Sequence, residues 1–206
     1  MSKGFFGTVS WVAALLLGAH GFAASHDPKP SVLGKGAPRR QVHIPIGDFS
    51  LTDHEGKAFA FAALKGKLVL VSFIYTSCPD VCPLITSSMR TVQRGLNGRE
   101  RKSVHFLSIT TDPEIDSPEI LKSYARRYEV DFSNWSFLTG DIKALQPVWK
   151  AFGVKVERKA RGLVNHTALT ALIDAGGVMR FAYYGAAPDH RVVLQDIRNL
   201  LSPHRK

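Results

Sequence analysis

Residues 68–75 read Leu-Val-Leu-Val-Ser-Phe-Ile-Tyr, an apolar run broken only by Ser72. Such a run predicts a central strand buried on both faces. Just beyond it, Leu84, Ile85, Met89, Val92 and Leu96 recur at helical spacing, and the pattern stops near Gly95 and Gly98. Residues 104–110 form the next predicted strand. Asp112-Pro113-Glu114 then makes a turn, and Ser117 caps a helix whose first position is Pro118 and whose end falls near Tyr128. Residues 135–139 predict a short strand. Asp141 caps a helix running to Phe152, with Gly153 as its stop and Pro147 predicting a kink or a late start. Residues 169–174 and 178–184 flank Ala175-Gly176-Gly177, a hairpin signal, and a last helix runs from the Asp189 cap to about Leu201. Near the other end, residues 49–51 and 57–61 flank Asp53-His54-Glu55-Gly56, which predicts a first hairpin.

In order these are a hairpin, β-α-β-α, β-α, and a closing hairpin with a helix. That order predicts an α/β domain with a central mixed sheet flanked by helices on both faces. A thioredoxin-like fold with an extra N-terminal β-hairpin, spanning residues 42–203, fits it. No internal repeat interrupts the pattern.

The ends depart from this pattern. No Asp, Glu, Lys or Arg occurs from Phe5 through His26, and the most apolar stretch lies at residues 9–17. Residues 1–24 therefore read as an export signal, with Gly21 and Ala23 as the small residues of a cleavage site after Ala23. An uncleaved membrane anchor is the rival reading, since the apolar stretch just reaches the roughly 20 residues a bilayer core requires. No Cys follows the stretch, which sets lipoprotein processing aside. Residues 25–41 hold three prolines and two glycines among basic residues, a composition expected of a flexible linker. The expected location is the bacterial periplasm, soluble or held to the inner membrane through the N-terminus.

A formal charge of +10 raises nucleic acid as a partner. The basic residues are scattered rather than arranged in a stripe, and export excludes nucleic acid as the natural target. A solvated basic surface, or a face for an acidic membrane-bound partner, remains.

The only two cysteines of the 206 residues are Cys78 and Cys82. In an oxidising compartment such a pair is a metal site, a redox disulfide or a pair of inert thiols. A structural staple is a poor reading, because so short a loop removes little unfolded-state entropy. The segment Cys78-Pro79-Asp80-Val81-Cys82-Pro83 follows the central strand, at the strand end where α/β folds place their ligands. Pro79 keeps Cys78 in the loop, while Pro83 suits a first helical turn and puts Cys82 near the positive end of the helix dipole. That placement predicts the thiolate at Cys82.

Two sulfurs leave a metal short of ligands, so the eight histidines matter. His20 belongs to the signal, and His26, His190 and His204 read as tether or surface. His43, His54 and His105 read as packed or solvated residues. His166 differs: it ends a loop before the predicted strand at Leu169, and in a thioredoxin fold that turn faces the cysteine loop. The proline usual at that turn is missing, because none occurs between Pro147 and Pro188. An imidazole there reaches toward both sulfurs.

Three blocks now carry a resemblance: residues 78–83; Leu107-Ser108-Ile109-Thr110-Thr111-Asp112-Pro113-Glu114; and His166-Thr167 ahead of a hairpin. Together, over residues 47–201, they resemble the Sco/SenC family of copper chaperones for cytochrome c oxidase. The resemblance implies a Cu(I) or Cu(II) site made by Cys78, Cys82 and His166, and a Cys78–Cys82 pair that cycles through a disulfide. It also implies delivery of copper to the dinuclear copper centre of cytochrome c oxidase subunit II or another copper-accepting oxidase, with a periplasmic copper donor and a thiol reductant as further partners. Many family members carry Asp immediately before the histidine, whereas this chain has Asn165, which implies a changed redox preference or affinity. Asp80 and Asp112 are candidates to support the ligands, with plain turn chemistry as the other reading of Asp112-Pro113.

The mechanism expected is ligand exchange with no organic substrate and no catalytic residue. The competing reading is a thiol-disulfide reductase that keeps the oxidase copper-site cysteines reduced, with Cys78 or Cys82 as nucleophile. A peroxidase-like or redox-sensing role and a purely structural role complete the alternatives.

Overall fold

The computed structural model describes residues 38–159 and 163–202. The expected signal, most of the expected linker and the last residue of the expected domain lie outside them. In chain order the elements are β1 (Arg39–Pro45), β2 (Ser50–Asp53), β3 (Ala58–Ala60), a 3-10 turn (Phe61–Leu64), β4 (Leu68–Ile74), α1 (Val81–Gly95), α2 (Gly98–Ser103), β5 (Val104–Thr110) and α3 (Pro118–Arg127). They continue with β6 (Trp135–Thr139), α4 (Ile142–Ala151), β7 (Val156–Arg158), β8 (Val164–His166), β9 (Leu169–Ile173), β10 (Val178–Tyr184) and α5 (His190–Leu201).

Eight strands form one mixed sheet in the order β1-β10-β9-β4-β5-β6-β2-β3. β4, β5 and β6 are parallel, and β9 runs antiparallel to β4. All seven residues of β4 are buried. They divide by parity: Leu68, Leu70 and Ile74 pack with α1, α3 and α5 on one face. Val69, Val71 and Phe73 pack with α4 and the 3-10 turn on the other. An all-apolar strand can serve two cores because successive side chains leave opposite faces. The layered α/β expectation therefore holds, as does the β2–β3 hairpin, which joins the sheet through β6.

Four details differ from the sequence expectations. β1 begins at Arg39, so residues 39–41 pair with β10 as an edge strand instead of continuing the linker. Arg39 is held there by two hydrogen bonds to Asp196 of α5, at 2.7 and 2.8 Å, and its guanidinium lies 4.2 Å from the Phe181 ring centre. α2 is an additional helix, opened by a capping box in which the Asn97 side chain accepts from the Glu100 amide and the Glu100 carboxylate accepts from the Asn97 amide. α4 starts at Ile142, directly after Asp141, so Pro147 causes no late start. Pro147 is on the exposed face, where a carbonyl released from the helical ladder can be hydrated. Finally, β7 and β8 form a separate two-stranded sheet, so His166 ends a strand and not a loop.

Candidate metal centre

Past Ile74 the β4–β5 ladder ends, and the chain leaves the sheet toward the cysteines. A buried carboxylate takes over the pairing. Asp116 accepts from the Thr76 backbone amide at 3.2 Å, the Thr76 hydroxyl at 2.6 Å and the Thr110 hydroxyl at 2.6 Å. Burial pushes the Asp116 carboxyl up, and the threonine hydrogen bonds oppose that shift. Sequence reasoning missed Asp116. Its only linear signal is a place in the turn after Asp112-Pro113, where Asp116 N donates to the Asp112 carbonyl at 2.9 Å.

The loop then places the two sulfurs differently. Cys78 is half-buried, its amide donating to the Tyr75 carbonyl at 3.2 Å. Cys82 is the second residue of α1 and is fully buried, facing the core beside Ile85 and Met89. Its amide points back, donating to Cys78 Sγ at 3.4 Å. Both thiols are free.

This reverses the expected ionisation. The Cys82 thiol, the Cys82 and Asp80 amides and the Tyr75 hydroxyl all donate toward Cys78 and hold it down to about 5, against the opposing effect of burial. Cys82 is pushed strongly up, first by the neighbouring Cys78 sulfur and then by burial. The positive end of α1 acts on the residue its first amides point at, which is Cys78, and not on the residue that belongs to the helix. Tyr75, desolvated and beside Cys78, is pushed up to about 12.

His166 Nε2 lies 3.8 Å from Cys82 Sγ, across 84 residues of sequence. Its Nδ1 lies 3.1 Å from the Thr167 carbonyl, an acceptor that assigns the proton to Nδ1 and leaves the Nε2 lone pair facing the sulfur. Burial lowers the imidazole pKa, so the ring is neutral at neutral pH. The Tyr75 ring meets it edge-on, with centroids 5.8 Å apart. A tetrahedral ion about 2.3 Å from sulfur and 2.0–2.1 Å from nitrogen would hold those two atoms about 3.5 Å apart. The observed spacing is within a few tenths of an ångström of that. Among the described residues no three His, Cys, Asp or Glu side chains form a ready-made metal cage. Cys82 and His166 already face one another, while Cys78 Sγ is engaged with the Cys82 amide.

A crevice of about 170 Å³ opens over Cys78 and His166, bordered by Tyr75, Asp80, Val164 and Asn165. Asp80 is exposed and makes no side-chain cap on α1. Asp112 is buried and shapes its turn, and its carboxylate is taken by Arg158 Nη1 at 2.5 Å. A larger cleft of about 440 Å³ beside Asp112, Arg158 and Trp149 shares Val164 with the crevice but holds neither cysteine nor histidine. Of the other histidines, His43 is exposed on β1, while His54 and His105 have structural partners. His54 Nδ1 accepts from the Phe137 amide at 3.2 Å, and His105 Nε2 lies 3.1 Å from the Ser136 hydroxyl.

A mixed sheet with helices on both faces, and a cysteine pair at the end of its central strand facing a histidine from a neighbouring hairpin, defines a thioredoxin-like protein with the donor set of a soft-metal site. The SCO1/SenC family model matches residues 38–202, and the chain belongs to that family. It is 39% identical over 99 residues to the SCO1 protein homolog of Bacillus subtilis, covering 48% of this chain and 51% of that protein, so the match spans about half the relative's length. Among solved structures, a SCO1/SenC family lipoprotein from Bacillus anthracis superposes with a TM-score of 0.72 at 30% identity, over 79% of this chain and 98% of that one. BsSco, described as a Sco-family cytochrome c oxidase assembly protein with a disulfide switch, gives 0.67 at 28%, over 78% and 95%. Bradyrhizobium japonicum ScoI with copper bound gives 0.62 at 31%, over 76% and 99%.

Proposed function

We propose that this chain is an exported copper-binding protein of cytochrome c oxidase assembly. In this reading Cys78, Cys82 and His166 hold one copper ion and pass it by ligand exchange to the dinuclear copper site of oxidase subunit II. The observation that carries the reading is the approach of His166 Nε2 to Cys82 Sγ at 3.8 Å, with its other nitrogen tied to a backbone carbonyl. Family membership and the copper-bound relative support it.

The residues divide the work. Cys78, half-exposed and held as thiolate, meets the incoming ion first. Cys82 loses its proton as the ion arrives, since only the thiolate ligates. Neutral His166 closes the third position. Thiolates favour Cu(I), imidazole helps hold Cu(II), and three protein ligands leave one side open for a partner's thiolate or imidazole. A periplasmic copper donor and a thiol reductant that restores Cys78 and Cys82 complete the cycle.

The test is anaerobic Cu(I) titration of the reduced protein against a competing chelator. One ion per chain is expected. Cys78→Ala, Cys82→Ala and His166→Ala should each remove tight binding. Retention of full affinity by His166→Ala would sink the three-ligand reading. The same variant separates the reductase alternative, which requires disulfide exchange by Cys78 and Cys82 but no imidazole.

A further inference from the structure

The cleft beside Asp112 lies past the ends of β5 and β6, on the same edge of the sheet as the cysteine loop that follows β4. In α/β folds that edge is where ligands bind. Its volume of about 440 Å³ is that of a ligand pocket, and Ile142, Trp149, Val156 and Val164 give it apolar walls. Its charged groups are Asp112, Glu114, Asp141 and Arg158. Three carboxylates and one guanidinium give the cleft a formal charge of −2, in a chain whose total is +10. We infer that this cleft receives the ammonium group and alkyl stem of a lysine side chain from a protein partner that docks over the adjoining metal crevice. The inference rests on the copper-transfer reading and names the chemistry of the surface that approaches it.

A buried acceptor carries the argument. Asp112 is 1% exposed, and its Oδ1 accepts from Arg158 Nη1 at 2.5 Å. Its Oδ2 is buried and has no hydrogen-bond partner among the described residues. A buried carboxylate oxygen without a donor is costly, which favours a donor brought in from outside. Arg158 is already shared, since the same Nη1 lies 3.0 Å from Glu114 Oε2. Its side chain is partly exposed and can swing toward Glu114 as the ammonium reaches Asp112. A single free oxygen suits the point charge of an ammonium, whereas a second guanidinium would need a two-pronged acceptor. The walls complete the fit: the methylenes of a lysine lie along Trp149, Val156 and Val164 while its head meets the carboxylates.

The rim points to a protein as the source of the amine. Ile115, Ile142 and Leu163 are large apolar side chains left exposed. Ile142 lines the cleft, Ile115 follows Glu114, and Leu163 precedes Val164. A free amine would leave them in water, whereas a protein face covers them. Val164 borders both the cleft and the crevice over Cys78 and His166, so one footprint spans the two. A partner anchored by its lysine holds its own copper ligands above the sulfurs.

The test has two arms. In the first, the reduced, metal-free full chain is titrated with n-butylammonium, a lysine side chain without its backbone. The Trp149 indole N–H, which donates to the Thr110 carbonyl, reports the cleft in ¹H–¹⁵N spectra. A saturable shift is expected, with none from n-butanol or butyrate at equal concentration. Asp112→Asn should weaken binding about tenfold, and Glu114→Gln, at an exposed position, about threefold. No shift, an equal shift with n-butanol, or unchanged affinity in both variants overturns the inference. In the second arm, carbodiimide, which joins carboxylates to amines, is applied to the chain mixed with the copper-site domain of oxidase subunit II. A cross-link from Glu114 or Asp141 to a partner lysine is expected, suppressed by excess n-butylammonium. Cross-links confined to other carboxylates overturn the docking. Neither arm contains copper and the Cu(I) titration contains no partner, so a failure of one reading is told apart from a failure of the other.

Discussion

The cysteine wall and the histidine wall of the crevice are built to different standards. The cysteines follow a strand with every residue buried and enter a helix that buries Cys82, Ile85, Thr86, Met89, Val92 and Gln93. Asp116 fastens the loop between them. His166 stands on a hairpin of two three-residue strands outside the main sheet, where Val164 is the only buried residue of β8. The hairpin ladder runs on through mutual hydrogen bonds between Thr167 and Lys155, and Arg158 on Asp112 ties the hairpin to the turn after β5. One wall is part of the core and the other leans on it. A partner ligand that must enter the crevice therefore displaces the histidine wall at lower cost than the cysteine wall.

The largest effect expected from this contrast is on stability. Phe73→Ala, in the fully buried strand below the cysteines, should cost about 3–5 kcal/mol in denaturant unfolding. A loss as small as that of a hairpin substitution would erase the distinction. The next effect concerns the sulfurs. In reduced, metal-free protein Cys78 is held down to about 5, so its thiolate persists on acidification until the pH falls through that value. Alkylation followed by mass spectrometry should find Cys78 about tenfold faster than an ordinary thiol at pH 6, with Cys82 unmodified, since the larger thiolate fraction of Cys78 outweighs the lower nucleophilicity of a low-pKa thiolate. Preferential labelling of Cys82 would break the assignment.

A smaller effect tests the lighter wall directly. Val164→Ala removes two buried carbons, about 1.6 kcal/mol at ~0.8 per CH₂, and should speed Cu(I) release to a chelator about tenfold. Stopped-flow release rates that match the unsubstituted protein would show that the hairpin does not gate exit. The smallest effect is electrostatic. Asn165 is exposed beside His166, so Asn165→Asp adds a solvated negative charge that favours Cu(II) over Cu(I). The potential of the bound copper should fall by a few tens of millivolts, on the scale of ~59 mV per tenfold for one electron. A rise would mean that the substitution acts through structure rather than charge.

The cysteine wall was legible from the sequence and the histidine wall only in part, for a physical reason. The apolar run of β4, the Ser117-Pro118 start of α3 and the Asp189 cap of α5 are local signals, and each element lies where they predict. Strands of three residues give periodicity nothing to register, so β7 and β8 were invisible even though His166 itself was singled out. β1 hid in a basic, proline-rich tract because it is an edge strand, with exposed positions that tolerate Arg39 and Arg40. α2 had a readable signal in Asn97 and Glu100, masked by the flanking glycines. The exchange of thiolate character between the two cysteines depends on which way a side chain leaves the first helical turn. Spacing alone does not contain that direction.

The grip of Asp196 and Phe181 on Arg39 has a mechanical meaning. Any tension arriving along the N-terminal segment is met at the first residue of β1 and spread into α5 and the sheet edge. The load stops there before it can reach the segments that carry Cys78 and His166, so a pull on the start of β1 leaves the spacing of sulfur and imidazole as it was.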